Sequence, residues 1–123
     1  PTEHRYPLTE YDERYVKGTM PCVGRNLDND LYTAGMNTLD GKDFYGVYMT
    51  HKPTGRKICY EVSPEYKFWV VWNDRGDKNY FCPEPMTWMI DAPNLSLPAE
   101  ITGYKEIAPG ESYELWQKFY CCD

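Results

Sequence analysis

One carboxylate of this 123-residue chain stands in a setting that favours acid–base chemistry. Glu84 lies between Pro83 and Pro85, after an apolar run and before a segment rich in methionine and tryptophan. Prolines fix their own φ, so they can hold the carboxylate rigidly towards a cleft, as a general base requires. Glu84 is therefore the candidate catalytic residue. The alternative interpretation is a glutamate that caps an element or forms a salt bridge.

A second acidic segment could suggest a metal site. Asp28 and Asp30 alternate with amide side chains in the run from Arg25 to Asp30. A calcium loop of the EF-hand type also requires a glycine at its sixth position and a glutamate at its twelfth, and the sequence has neither. We expect a turn or an exposed acidic loop here, and the sequence predicts no metal and no other cofactor.

The two histidines, His4 and His51, do not lie near a nucleophile in the sequence. We expect both to be surface residues, the first in an end segment and the second in a hairpin turn. The sequence contains no Gly-x-Ser-x-Gly elbow, phosphate loop or paired metal-ligand motif. Nucleophilic and metal-dependent chemistry therefore have no support in the sequence.

Composition and charge narrow the class of protein. With 41% hydrophobic residues in 123, the chain can form one hydrophobic core, so we predict a single domain over residues 1–123. A net charge of −6 makes nucleic acid an unlikely partner. No apolar run approaches the roughly 20 residues of a membrane helix, and five irregularly spaced cysteines fit reduced thiols in a cytoplasm.

The middle of the chain predicts a hairpin and a buried strand. Tyr45–Thr50 and Arg56–Val62 are rich in strand-forming residues, and the five residues between them contain the Pro and Gly of a turn. Tyr66–Trp72 is almost continuously β-branched or aromatic, which favours a central strand covered on both faces. The strand resumes at Asn79–Cys82, and the prolines that follow predict that Glu84 lies at a strand end, outside a central ladder.

The two ends of the chain complete an antiparallel pattern. Short strands are predicted around Val16 and Leu31, and two alternating strands at Glu100–Ile107 and Ser112–Tyr120. Between the last two, Pro109 and Gly110 suit the central positions of a type II turn. We predict an all-β, antiparallel β-sandwich.

The last third of the sequence resembles the C-terminal signature of the aldose 1-epimerase (galactose mutarotase-like) family. Phe81–Asn94 is similar to the family's Cys-x-Glu-Pro-x-Thr run and its Ala-x-Asn segment, and Ile107–Glu111 to its Pro-Gly-Glu turn. Weaker similarity upstream covers Asn26–Tyr32, Lys52–Arg56 and Val62–Pro64. The resemblance implies that the chain is the C-terminal portion of a β-supersandwich.

The resemblance also implies a reaction. Members of the family bind a free aldohexose and interconvert its α and β anomers, a glutamate removing the C1 hydroxyl proton while a histidine protonates the ring oxygen. Glu84 matches that glutamate, and Asp28 is similar to the aspartate that hydrogen-bonds sugar hydroxyls. Trp88 and Asn94 then have one of two roles: they line or brace the monosaccharide site, or they are purely structural.

The sequence also departs from the family. Members are typically more than twice this length, and neither His4 nor His51 matches a catalytic histidine. We therefore expect a missing N-terminal portion, a partner chain or a homo-oligomer to complete the site. The alternative is a non-catalytic carbohydrate-binding or assembly module derived from the same fold.

Overall fold

The structure is a computed structural model in which residues 23–24, 26–27 and 30–122 are described, Asp30 by its backbone alone. This part of the chain contains eight strands, two 3₁₀ segments and one four-residue helix. The strands are β1 (Asp30–Thr33), β2 (Asn37–Leu39), β3 (Lys42–Phe44), β4 (Gly46–Thr50), β5 (Lys57–Val62), β6 (Phe68–Trp72), β7 (Cys82–Met86) and β8 (Gln117–Cys122). The 3₁₀ segments are Asp74–Gly76 and Ala92–Asn94, and the helix is α1 (Ala99–Thr102).

The strands form antiparallel sheets, which confirms the predicted fold class. β6 lies between β1 and β7 in the first sheet, β5 lies between β4 and β8 in the second, and β2 pairs with β3 as a separate hairpin. No helix in the described ranges is long and apolar enough to cross a membrane. A single domain over residues 1–123 stays a prediction.

The central strand and the hairpin were both predicted correctly. Phe68, Trp69, Val70 and Val71 are buried, as the continuous apolar run of β6 requires. The β4–β5 hairpin closes through a bond from the His51 N–H to the Arg56 carbonyl at 2.8 Å. The predicted strand at Leu31 is β1, whereas the one at Val16 lies outside the described residues.

The first sheet has a hydrophobic cluster on each face. The first core cluster faces the second sheet, and Tyr60 of that sheet contacts Trp69 edge to face at 5.4 Å. The second core cluster, on the opposite face, is covered by the connection that follows β7. The buried members of the first cluster are Leu27, Tyr32, Val62, Tyr66, Trp69 and Val71, and those of the second are Leu31, Phe68, Val70, Met89 and Ala92.

The predicted strand Glu100–Ile107 is wrong. The chain forms α1 instead, with the Thr102 N–H donating to the Pro98 carbonyl at 3.0 Å. Gly103 then ends the helix in the left-handed region at φ 73°. The apolar residues of this segment alternate as in a strand, but Ile101 and Ile107 are both about half exposed, and no strand among the described residues pairs with the segment.

The last predicted strand, Ser112–Tyr120, is displaced towards the end of the chain. β8 begins only at Gln117, opposite Val62, where β5 ends. The predicted turn before it is confirmed: the Glu111 N–H donates to the Ala108 carbonyl at 3.0 Å, and Gly110 has φ 88°.

The structure predicts a steric role for Gly103. A β-carbon there would lie 2.7 Å from the Thr87 carbonyl oxygen, whereas Gly110, which also has a positive φ, has no atom within 4 Å. Gly103→Ala should lower the free energy of unfolding by about 1–3 kcal/mol more than Gly110→Ala, since only the first adds a backbone clash to the cost of the left-handed conformation. Urea denaturation measures both, and equal losses would contradict the predicted clash.

Candidate functional site

Glu84 lies in the middle of β7, which corrects the prediction that it stands at a strand end. It is directly opposite Val70, with Pro83 and Pro85 opposite Val71 and Trp69. Antiparallel hydrogen bonds alternate along a strand, so the two prolines can occupy the positions whose N–H would point away from β6. The other half of the prediction is correct: β7 is an edge strand of the first sheet in the described part.

The alternation of side chains decides where the carboxylate lies. Successive residues of a strand point to opposite faces, so Cys82, Glu84 and Met86 share one face and the two prolines share the other. Met86 packs against the second core cluster, and Glu84 is half-buried. The carboxylate is therefore held on an otherwise apolar strand face, beside packed residues.

No cation neutralises Glu84 within the described part of the chain. The two ion pairs found there are Lys57 with Asp40 at 2.7 Å and Lys78 with Asp74 at 3.4 Å. Glu84 instead affects the pKa of the neighbouring Cys82 thiol. Burial raises the pKa of this thiol, and the negative charge of Glu84 and a hydrogen bond to it add to the effect.

The edge strand forms one wall of a cleft of about 380 Å³. On the β7 side the cleft is lined by Glu84 with its two prolines, Cys82 and Phe81. The opposite wall comes from the second sheet and consists of apolar and aromatic side chains: Val47, Tyr48, Met49, Ile58, Tyr60 and Phe119. The two prolines lie on the face of β7 towards this cleft, whereas the Glu84 side chain lies on the opposite face, with the second core cluster, and Glu84 borders the cleft at the edge of the sheet.

An aromatic pair forms the far wall of this cleft. Tyr60 of β5 stacks on Phe119 of β8 with ring centroids 3.9 Å apart, and its hydroxyl donates to Gln117 Oε1 at 2.6 Å. Sequence reasoning missed these residues as site candidates. Tyr60 and Phe119 are distant in sequence, and only the β5–β8 register brings them opposite each other.

Trp88 lies on a different side of β7 from the second sheet. Its ring stacks on Tyr104 with centroids 5.2 Å apart and packs against the second core cluster. It is not among the residues that line the Glu84 cleft. The predicted sugar contact of Trp88 stays a prediction.

Asn94 stabilises the loop in which it lies. Its side-chain amide donates to Asp91 Oδ1 at 2.6 Å, and its backbone N–H donates to the Asp91 carbonyl at 2.9 Å. Asp91 itself has φ 59°, so these bonds hold a left-handed turn in place. Asn94 therefore braces this loop, and its contribution to a sugar site stays a prediction.

The remaining predicted residues are apart from Glu84 or outside the described ranges. Asp28 and His4 lie outside them. His51, the histidine of the described part, is exposed in the β4–β5 turn, with its Nδ1 2.8 Å from Thr54 Oγ1. The described residues also contain no cluster of three or more His, Cys, Asp or Glu side chains that could hold a metal ion.

The contact between Glu84 and Cys82 predicts a change in thiol reactivity. Glu84→Gln removes a negative charge and should lower the pKa of Cys82, so more thiolate exists at a fixed pH near 8. The rate of alkylation by iodoacetamide should rise roughly two- to fivefold. Mass spectrometry can follow the tryptic peptide Asn79–Lys105, whose one cysteine is Cys82. Alkylation at Cys121 serves as the internal control, and an unchanged rate at Cys82 would contradict the predicted coupling.

No protein-family model matches this chain. Among solved structures, the chain is similar to the crystal structure of a galactose mutarotase-like protein from Clostridium acetobutylicum, with 35% sequence identity and a TM-score of 0.66. The match covers 76% of this chain and 28% of that protein, so this chain spans less than a third of its length. Over the matched part, the chain has a galactose mutarotase-like fold.

Proposed function

We propose that this chain carries the general base of an aldose 1-epimerase (mutarotase), an isomerase that interconverts the α and β anomers of a free hexose. The observation that carries the proposal is the setting of Glu84: a half-buried carboxylate without a cation in the described part, on a proline-flanked edge strand that borders an aromatic cleft. The similarity to a galactose mutarotase-like structure supports the same reaction.

In this proposal Glu84 accepts the proton of the sugar's C1 hydroxyl. As that proton leaves, the bond between C1 and the ring oxygen breaks and an acid protonates the ring oxygen. Rotation about the C1–C2 bond and reclosure then give the other anomer. A carboxylate that is not paired with a cation suits this role, because an ion pair would favour its charged form and weaken it as a proton acceptor.

The cleft also suits a hexose in size and chemistry. Its volume of about 380 Å³ is within the usual range of small-molecule sites. The Tyr60 and Phe119 rings offer apolar surfaces on which the C–H face of a sugar can stack. In the proposed complex, the aromatic wall binds this face of the ring, and the Glu84 side chain reaches the anomeric hydroxyl around the edge of β7, which pairs with no further strand in the described part.

The acid of the reaction comes from elsewhere in this proposal. His51 is exposed in its turn and does not line the Glu84 cleft. We propose that the acid, and with it the rest of the sugar site, comes from a further segment of the same protein or from a partner chain. Asp28 keeps its proposed role as a ligand of the sugar hydroxyls.

The direct test of the proposal is polarimetry with the intact protein and fresh α-glucose or α-galactose. Glu84→Gln keeps the shape of the side chain and removes its basicity, so the rate of anomer equilibration should fall roughly 100- to 10,000-fold. The matched control is Glu114→Gln, which changes an exposed glutamate away from the cleft and should leave the rate unchanged. A Glu84→Gln protein with the unaltered rate would refute the role of Glu84.

A second candidate function is a non-catalytic carbohydrate-binding or assembly module, and one observation favours it. Met49, Ile58 and Phe119 of the second sheet are 40%, 48% and 65% exposed and adjoin one another through the β4–β5–β8 pairing. Contiguous exposed apolar side chains of this kind often mark a surface that contacts another chain.

The assembly function predicts that a charge on this surface weakens association. Ile58→Lys should raise the dissociation constant of any complex roughly tenfold or more, because an ammonium would have to be desolvated at the interface. Ile107→Lys is the matched control, since Ile107 is exposed to a similar extent, 52%, but lies outside this sheet. Sedimentation velocity over a dilution series measures both. A wild-type protein that stays monomeric at all concentrations would exclude the assembly function.

A further inference from the structure

Two thiols that take no part in the Glu84 cleft lie in contact with each other. Cys59 Sγ and Cys122 Sγ are 3.0 Å apart, on the neighbouring strands β5 and β8. Cys59 is completely buried, whereas Cys122 is partly exposed. Both are free thiols in the structure. A buried thiol touching an accessible one is the arrangement of a resolving cysteine beside a reacting cysteine.

The accessible thiol lines a second cleft, of about 420 Å³, on the face of the second sheet opposite the aromatic wall. Charged side chains border this cleft, including Lys42, Glu61 and Lys118. The Lys57 ammonium, which is held by Asp40, also interacts electrostatically with Cys122. A small polar oxidant can therefore reach Cys122 from solvent.

We propose that Cys59 and Cys122 are a modification site at which hydrogen peroxide forms an intrachain disulfide. The Cys122 thiolate attacks one peroxide oxygen, the O–O bond breaks, and hydroxide leaves Cys122 as a sulfenic acid. Cys59 sulfur then attacks Cys122 sulfur, the S–O bond breaks, and water leaves with the Cys59 proton. In sum, two thiols lose two electrons and two protons, and one peroxide is reduced to two waters.

The geometry assigns the two thiols different roles. Burial, followed by the hydrogen bond between the Cys59 and Cys122 thiols, raises the pKa of Cys59 to about 11, so this thiol stays protonated near neutral pH. The oxidant therefore reacts at Cys122. To bond, the sulfurs must approach by about 1 Å, from 3.0 Å to the usual S–S length of about 2.05 Å. The two cysteines are diagonal neighbours in the β5–β8 ladder, Cys59 opposite Tyr120 and Cys122 opposite Lys57, so both side chains must rotate towards each other to bond.

The adjacent cysteine, Cys121, cannot take the role of Cys122 in this disulfide. Cys121 is opposite Ile58 in the β5–β8 ladder, so it lies on the other face of the sheet from Cys59 and Cys122. The site is therefore selective for one of two adjacent thiols. This difference provides a matched control for the experiment.

The test is peptide mapping of the intact protein after treatment with hydrogen peroxide and alkylation of the remaining thiols. We expect a cross-link between the tryptic peptide Ile58–Lys67 and the peptide that begins at Phe119, and we expect dithiothreitol to remove it. Because Cys121 and Cys122 share a peptide, fragmentation must show that Cys122 carries the link. Complete alkylation of Cys59 and Cys122 after peroxide treatment would overturn the proposal.

The variants separate the two adjacent cysteines. Cys122→Ser should lower the yield of the Cys59 cross-link roughly tenfold or more, whereas Cys121→Ser should leave it unchanged. A cross-link that survives Cys122→Ser, or one that is lost equally in Cys121→Ser, would overturn the assignment. The peptide map of the wild-type protein tests the disulfide even if Cys122→Ser is unstable, because it does not depend on the folding of either variant.

Discussion

The register between β6 and β7 is the constraint on which the rest of the site depends. Val70 is opposite Glu84, with prolines at the two neighbouring positions of β7. A shift by one residue would move every β7 side chain to the other face and place a proline where β6 requires an N–H donor. The prolines therefore exclude the shifted pairing. They therefore fix the face of the sheet on which the Glu84 side chain lies, and no ion pair with a cation is needed to hold it there.

The packing between the two sheets also positions one wall of the cleft. Tyr60 contacts Trp69 of β6 edge to face and stacks on Phe119 of β8, so one ring belongs both to the core and to the cleft wall. Core side chains are held in single conformations by close packing. The Tyr60 ring of the wall is therefore held in place before a ligand binds, which lowers the entropy lost on binding. In the proposed site, the base and the wall are positioned by the same two sheets.

Local patterns predicted the features that depend on local physics. The apolar run of β6, the Pro and Gly of the β4–β5 hairpin and the turn at Gly110 all lie where the sequence places them. Features that depend on distant partners were not predictable. The segment after Pro98 alternates like a strand but pairs with no strand of the described residues, and Glu84 continues a strand because β6 is beside it. The contact of Tyr60 with Phe119, like that of Cys59 with Cys122, follows from a pairing that no local pattern encodes.

The proposed mechanism requires Glu84 to contact the anomeric hydroxyl of a hexose. A crystal structure of the intact protein with bound galactose or glucose tests this claim most directly, because it locates C1 relative to the carboxylate. We predict a sugar ring in the Glu84 cleft, stacked on the Tyr60 and Phe119 wall, with its C1 hydroxyl about 2.6–3.2 Å from a Glu84 oxygen. A sugar bound at another place, or bound in the cleft with C1 turned away from Glu84, would contradict it.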